Sequence, residues 1–207
     1  MCTFVYVDGF NLYYGALRKS PWKWLDLRLL FETILQPHHD ILAIKYFTAK
    51  VSRTPNDPSK PQRQAAYIRA LVQFRPEVSV HYGHFLTHTV SAPLANPRGS
   101  QRFADVIKTE EKGSDVNLAL HLLNDAWLDR YDCAVVVTND SDIAEAMHLV
   151  RRHRRKRIGL VTPGSGRSSR QLAAHAHFHH RIRKGVLAVS QLPNPIPEAN
   201  IRKPPGW

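Results

Sequence analysis

Four aspartates stand where a chain of alternating strands and helices can gather them. Asp8 closes the apolar run Thr-Phe-Val-Tyr-Val and is followed by Gly9, which permits a tight turn. Asp115 stands in Lys-Gly-Ser-Asp, at the head of an amphipathic stretch. Asp140 and Asp142 stand in Thr-Asn-Asp-Ser-Asp, directly after an apolar run. Carboxylates gathered at one edge repel each other unless a cation neutralises them. A hard divalent ion with oxygen ligands, Mg²⁺ or Mn²⁺, suits such a set. It can hold a phosphate oxygen and activate a water for phosphodiester hydrolysis. Helix capping competes for the same residues. Ser114, Asp115, Ser141, Asp142 and Glu145 all stand where caps and first-turn acids are favoured. Asp142-Ile-Ala-Glu145 even has the spacing of a capping box. Capping accounts poorly for Asp8, an acid that ends a strand and precedes glycine.

The acids need strands that end on them. Residues 3–8 read as a short buried strand, 41–51 as a second and 78–86 as a third. The run 132–138 is a fully apolar strand of the mid-sheet kind, 157–162 is another, and a last short strand is expected over 186–190. Helical patterns cover 10–19, 26–36, 62–75, 114–128, 141–154 and 168–176. In 114–128, Val116, Leu120, Leu123 and Trp127 share one side. The stretch 52–61, with Pro55, Pro58 and Pro61, is a loop. The polar stretch 87–104 is expected as a long loop near a functional face. Alternating strands and helices give an α/β fold with a mainly parallel sheet covered on both faces. Ligands in such sheets bind beyond the carboxyl ends of the strands, near the switch in strand order.

The charge of the chain is segregated. Its 207 residues hold 29 Lys and Arg against 17 Asp and Glu. Residues 1–150 are neutral in sum, while 151–207 carry 13 basic residues and one acid, Glu198. One-sided basicity points to a polyanion partner, and nucleic acid is the commonest. The run Arg151-Arg152-His153-Arg154-Arg155-Lys156-Arg157 exceeds what capping a helix needs. Phosphate-backbone contact is the favoured use. The run lies some 20 Å from Asp140 if the intervening helix rises about 1.5 Å per residue. Hydrophobic residues at 43% and charged residues at 22% are the range of a globular protein. No apolar run reaches the roughly 18 residues of a membrane span. The start, Met-Cys-Thr-Phe-Val, lacks a basic region of the secretory kind. Two cysteines build no disulfide framework, so a cytoplasmic setting is expected.

Three motifs in order, Val-Asp-Gly-Phe-Asn-Leu, Lys-Gly-Ser-Asp-Val-Asn-Leu-Ala-Leu and Val-Val-Val-Thr-Asn-Asp-Ser-Asp-Ile, resemble those of the NYN domain family, a branch of the PIN-like nucleases. The resemblance covers roughly residues 3–190. It implies a three-layer α/β/α sandwich with a mainly parallel sheet. It also implies a ribonuclease dependent on Mg²⁺ or Mn²⁺, with RNA as partner. Asp8, Asp115 and Asp140 match the family's acidic metal positions, and Asp142 matches the second acid of its Asp-Ser-Asp motif. Asn11 and Ser141 match polar positions expected to contact a phosphate or a metal-bound water. The chain departs from the family before the final strand, where Ala-His-Phe at 176–178 replaces a common acid.

Further candidates come from the residues themselves. Gly-Ser-Gly-Arg-Ser-Ser at 164–169 follows a strand and opens a helix, as phosphate-cradling loops do. It lacks the third glycine of a dinucleotide fingerprint. With Arg167 and Arg170 it is a candidate substrate contact, as are Lys112 and Lys108. His175, His177, His179 and His180 lack a nearby cysteine and are read as partly exposed histidines, not a zinc site. Tyr13, Tyr14, Trp22 and Trp24 are candidates for base stacking or for the core. The catalytic domain is expected over 1–190, followed by an extended or disordered proline-rich tail, 191–207. A homodimer and an inhibitory protein partner are both open. Two other functions stay open: a non-catalytic RNA-binding module, and a pyridine-ring hydroxylase, a label some sequences resembling this family carry. No flavin, nicotinamide or haem signature accompanies the latter.

Overall fold

The alternation in the first strand sets up two cores. In the computed structural model, which describes residues 1–99, 101–197 and 199–207, β1 (Cys2–Asp8) sends Val5 and Val7 to one face and Tyr6 to the other. The strands that join it are β2 (Asp40–Ala49), β3 (Val78–Arg98), β4 (Gln101–Lys112), β5 (Cys133–Val137), β6 (Arg157–Thr162) and β7 (Phe178–Arg181). They form one sheet in the order β4-β3-β2-β1-β5-β6-β7. Every pairing is parallel except β3 with β4. The chain moves from β1 outward to β2 and β3, then returns to the other side of β1 as β5. The switch in strand order therefore lies between β1 and β5.

The helices lie against these faces. The first cluster takes Leu27, Leu30 and Phe31 of α2 (Leu27–Ile34), Tyr67 and Leu71 of α3 (Lys60–Phe74) and Leu187 of α7 (Lys184–Val189). The second takes Leu118 and Leu122 of α4 (Ser114–Trp127), Met147 of α5 (Ala144–Leu149) and Leu172 of α6 (Arg170–His175). A short α1 (Gly9–Leu12) follows β1 and widens into a π-helical turn, Tyr13–Leu17. All of β5 is buried, as its unbroken apolar run requires. At β6, Gly159 lets the Phe178 ring lie flat on the strand, where a Cβ would come within 2.2 Å of it.

Two expectations are corrected. The stretch 87–104 is not a loop: β3 runs on to Arg98 and pairs with β4 from His84↔Lys112 to Pro93↔Phe103. Past Gly83 this arm leaves the sheet, so most of its residues stay exposed and no apolar period marks them. Residues 186–190 belong to α7, because Leu187 turns into the core against α2; the last strand is the His-rich β7. The helix expected over 141–154 is present without a gap, opening as a 3₁₀ turn (Ser141–Ile143), continuing as α5 and closing as a π-helical turn (Val150–Arg154). The stretch after 190 packs on the fold. Leu192 and Ile196 are buried, and the Trp207 ring packs against Trp24 and Tyr67.

The buried face of α4 also differs from its apolar stripe. Val116, Leu120 and Trp127 are exposed, and Leu118, Leu122, Asp125 and Ala126 face inward. Asp125 turns the helix this way. Fully buried, it accepts from the Tyr6 hydroxyl at 2.7 Å, from Lys45 Nζ at 2.5 Å and from Arg130 at 3.2 Å. The carboxylate thus bolts α4 to β1 and β2. Asp125→Ala strands Lys45 and Tyr6 in the interior, at a cost of about 3–5 kcal/mol. Thermal unfolding followed by circular dichroism is expected to fall by roughly 10 °C or more. Val116→Ala on the solvent side is expected to stay within about 0.5 kcal/mol.

Candidate active site

The central strands end level with each other. Val7 stands beside Val137, so Asp8 meets the residue after β5. The Thr138 hydroxyl donates to Asp8 Oδ2 at 2.8 Å and accepts from the Asp140 N–H at 3.1 Å. Asp8 Oδ1 accepts from the Asn11 N–H at 2.8 Å and caps α1. Capping thus does account for Asp8, contrary to the expectation from sequence. Asp140 is a cap as well, its Oδ1 accepting from the Asp142 N–H at 3.1 Å. Both oxygens of Asp8 and one of Asp140 thus serve the fold.

Asp115 arrives from the other side of the switch point. The β4-to-α4 corner is built on two glycines. Gly113 has φ +92°, and a Cβ at Gly83 would lie 2.4 Å from Glu111 Oε1. This close approach lets Glu111 cap α4, accepting from the Ser114 N–H at 3.1 Å and its hydroxyl at 2.7 Å. Asp115 follows in the first turn, with no hydrogen bond from any described residue. Burial, and then the charges of Asp8, Asp140, Glu111 and Asp142, push its pKa up to about 6. Burial also raises Asp8, opposed by the Asn11 and Thr138 hydrogen bonds and reinforced by Asp140. The four predicted aspartates therefore share one electrostatic field at the carboxyl edge of the sheet. Hard oxygen donors in a mutually repelling set fit Mg²⁺ or Mn²⁺ in kind. Among the described residues, however, no three His, Cys, Asp or Glu side chains are grouped so that they could hold a metal ion.

The other predicted contacts are distributed unevenly. Asn11 Oδ1 accepts from the Asn139 N–H at 3.0 Å. Asn139 in turn binds the Arg167 carbonyl at 3.0 Å and the Ser169 N–H at 2.8 Å. Asn11 thus holds the loop 163–169 at the acid edge through Asn139. Arg167 and Arg170 stand on that loop and at the start of α6, with no side-chain partner among the described residues. Ser141 is exposed in the turn beside Asp140. Lys112 is tied instead to the arm, where it and Lys108 share Glu110 at 3.3 and 2.7 Å. The basic run is at the opposite edge, since Arg157 begins β6 and Thr162 ends it. Arg151 and Arg154 bond backbone carbonyls there, and Lys156 pairs with Asp129. His179 bonds Thr162 and Ser168, and His177 accepts from the Ile158 N–H.

Glu111 and Asn139 were missed as site residues. Asn139 lies inside the third motif. Glu111 stands three residues before Ser114, a reversed capping spacing that only the two-glycine corner makes usable. Trp24 belongs to the core, while Tyr13 and Tyr14 line an aromatic cleft that opens beside Gly9.

A family model described as NYN domain matches residues 3–183. The chain belongs to the NYN domain family. The NYN match supports a nuclease-like fold, and no described helix is long and apolar enough to cross a membrane. The chain is 37% identical to the 6-hydroxy-3-succinoylpyridine 3-monooxygenase HspA of Pseudomonas putida, over 99% of this chain and 75% of that protein. A crystal structure of a Vibrio parahaemolyticus protein of unknown function superposes with TM-score 0.56 at 18% identity, covering 88% of this chain and 93% of that one. That likeness is one of fold.

The electrostatics of the NYN edge have a stability consequence. A carboxyl raised from 3.8 to about 6 by folding binds more protons in the native state between those values. Stability therefore falls as pH rises through that window and stays lower above it. Asp115→Asn is expected to raise the melting temperature of metal-free protein at pH 7.5 by roughly 2–4 °C, about the effect of 1 kcal/mol at this size. The gain should vanish near pH 4. A variant no more stable than the parent at pH 7.5, with EDTA present, would show that the acids do not repel across the edge.

Proposed function

We propose that this NYN protein is a ribonuclease that hydrolyses RNA phosphodiester bonds with Mg²⁺ or Mn²⁺. What supports this reading is the electrostatic neighbourhood that Asp115 shares with Asp8, Asp140 and Asp142 at the carboxyl edge of the sheet. The two core clusters, one on each face, support the three-layer sandwich of the PIN-like class.

Asp8, Asp115, Asp140 and Asp142 would hold the ion. When bound, such an ion polarises the phosphoryl group, supplies an activated water and offsets charge on the leaving oxygen. The chain's own residues do the rest. Thr138 and Asn11 fix Asp8, so its carboxylate does not rotate away from the edge. Asn139 keeps the loop 163–169 in place, and Arg167 and Arg170 hold the substrate's phosphates from it. Lys112 and Lys108, on the arm, would guide a strand past the α4 corner. Ser141 offers a hydroxyl to a phosphate oxygen. Water adds to phosphorus, the P–O bond breaks, and the proton released ends on the leaving oxygen. The net basic charge assists encounter with a polyanion.

A second function is favoured by one observation. HspA matches 99% of this chain at 37% identity, and its name gives a monooxygenase acting on a hydroxylated pyridine. A chain of that kind would oxidise a small ring and leave RNA intact.

Labelled single-stranded and structured RNA, incubated with Mn²⁺, Mg²⁺ or EDTA, separates these. Cleavage is expected with either ion and not with EDTA. Asp115→Asn and Asp140→Asn are expected to lower it on the order of 100-fold or more. Cleavage that persists equally in both variants would sink the site assignment. Salt-sensitive RNA binding without cleavage would favour a binding module. Oxygen insertion into 6-hydroxy-3-succinoylpyridine with a reductant supplied, together with intact RNA, would favour the HspA-like activity.

A further inference from the structure

The aromatic cleft beside Gly9 plays no part in the chemistry above. It is a narrow cleft of about 70 Å³, open to solvent, between the first helical turns, β2 and α3. Phe10, Tyr13, Tyr67 and Trp207 supply aromatic walls. Its floor is Tyr46, which stands beside Val7 one position before the level of Asp8. Gly9 keeps the floor open, because a Cβ there would lie 2.7 Å from the Tyr46 hydroxyl. The cleft therefore begins one residue beyond the acid edge.

Most polar groups in its walls already have partners. Gln64 bonds the Ala49 carbonyl and the Val51 N–H, and the Tyr67 hydroxyl bonds the Leu25 carbonyl. Arg63 is paired with Asp57. Tyr46 differs. It lines the cleft, and its hydroxyl, which bonds no described residue, is not shut off from solvent. Such a hydroxyl is free to meet a ligand in the place of water. Lys60, at the rim, likewise pairs with no described acid.

We propose that this cleft binds a planar heteroaromatic ring bearing an anionic group. The ring lies among the aromatic walls, a ring nitrogen or exocyclic oxygen meets the Tyr46 hydroxyl, and Lys60 meets the anion. Aromatic walls accept any flat ring, and the Tyr46 hydroxyl sets its orientation. Two sources share this chemistry: a nucleotide unit of an RNA strand, and a free small aromatic acid. The binding goes beyond the nuclease reading and does not depend on an ion.

The test is a titration of protein tryptophan fluorescence in EDTA, using uridine monophosphate, nicotinate and, as an anion without a ring, ribose 5-phosphate. At least one ring-bearing probe is expected to bind, and ribose 5-phosphate is not. Tyr46→Phe preserves shape and is expected to weaken binding about 3- to 10-fold at unchanged melting temperature. Lys60→Ala is expected to weaken uridine monophosphate and leave the uncharged nucleoside uridine, titrated beside it, unaffected. Uridine monophosphate displaced by a short RNA identifies the nucleotide source, and nicotinate binding alone identifies the free acid. Failure of both ring probes at about 10 mM (a free energy under about 3 kcal/mol), equal binding of ribose 5-phosphate, or parental affinity in both variants overturns the proposal. Asp140→Asn is titrated alongside. Lost cleavage with intact ring binding in the parent chain counts against the nuclease reading alone.

Discussion

Val7 stands beside Val137 in the parallel pair at the centre of the sheet, and the two strands end level. Every feature of the acid edge depends on that register. A slip by one residue would turn Val5 and Val7 to the face that holds Tyr6 and would exchange the two cores. It would also part Asp8 from the Thr138 hydroxyl, which meets it at 2.8 Å. Asp8 is only 4% exposed, and a carboxylate so placed persists only with donors on both oxygens. Asn11 and Thr138 provide them. The same two contacts begin α1 and place Asp140, so local structure and site geometry are one construction.

The fold brings like charges together and keeps its cations elsewhere. Asp115 is pushed up to about 6 by burial and by four neighbouring acids, a cost met by packing at a distance. The Asp125 contacts hold α4 to β1 and β2 and so deliver Asp115, at the other end of that helix, against repulsion. The basic run lies at the amino end of β6, about 20 Å from the carboxyl end at roughly 3.3 Å per residue. Half of its Arg and Lys side chains bond their own protein. A contact there and a contact at the acids would have to come from separate parts of a long polyanion.

The legible parts of this fold were those whose sequence period matches their burial. β1 and β5 are apolar and largely buried on both faces, so both strands read directly. Parts that break this correspondence were misread. The β3–β4 arm has little apolar period because little of it is buried. The exposed Val116, Leu120 and Trp127 make a false stripe on α4, while the true inner face carries Asp125, whose partners come from distant strands. Leu187 and Val189 look β-branched-adjacent and strand-like, yet α2 receives Leu187 from a helix. Glu111 reaches Ser114 only because Gly83 allows two backbones to touch. Partners remote in sequence decide each of these, and spacing within one segment carries no trace of them.

A fold of this class specifies where a ligand sits before it specifies what is done to it. The carboxyl edge of the sheet is fixed by register, and the cleft beside Gly9 by the first turn after β1, so the two open side by side. On the readings proposed above, a phosphodiester over the acids would bring its base toward that cleft, and a small aromatic acid in the cleft would present its ring to the same carboxylates. The 37% identity to HspA over 99% of the chain is therefore compatible with a shared pocket whether or not the chemistry is shared. What separates the two activities is the group met beyond the ring: a phosphate that asks for a cation among Asp8, Asp115, Asp140 and Asp142, or a carbon that asks for an oxidant. The mutual repulsion of those four carboxylates favours the first, because oxidation of a neutral ring carbon gives no reason to hold four negative charges together.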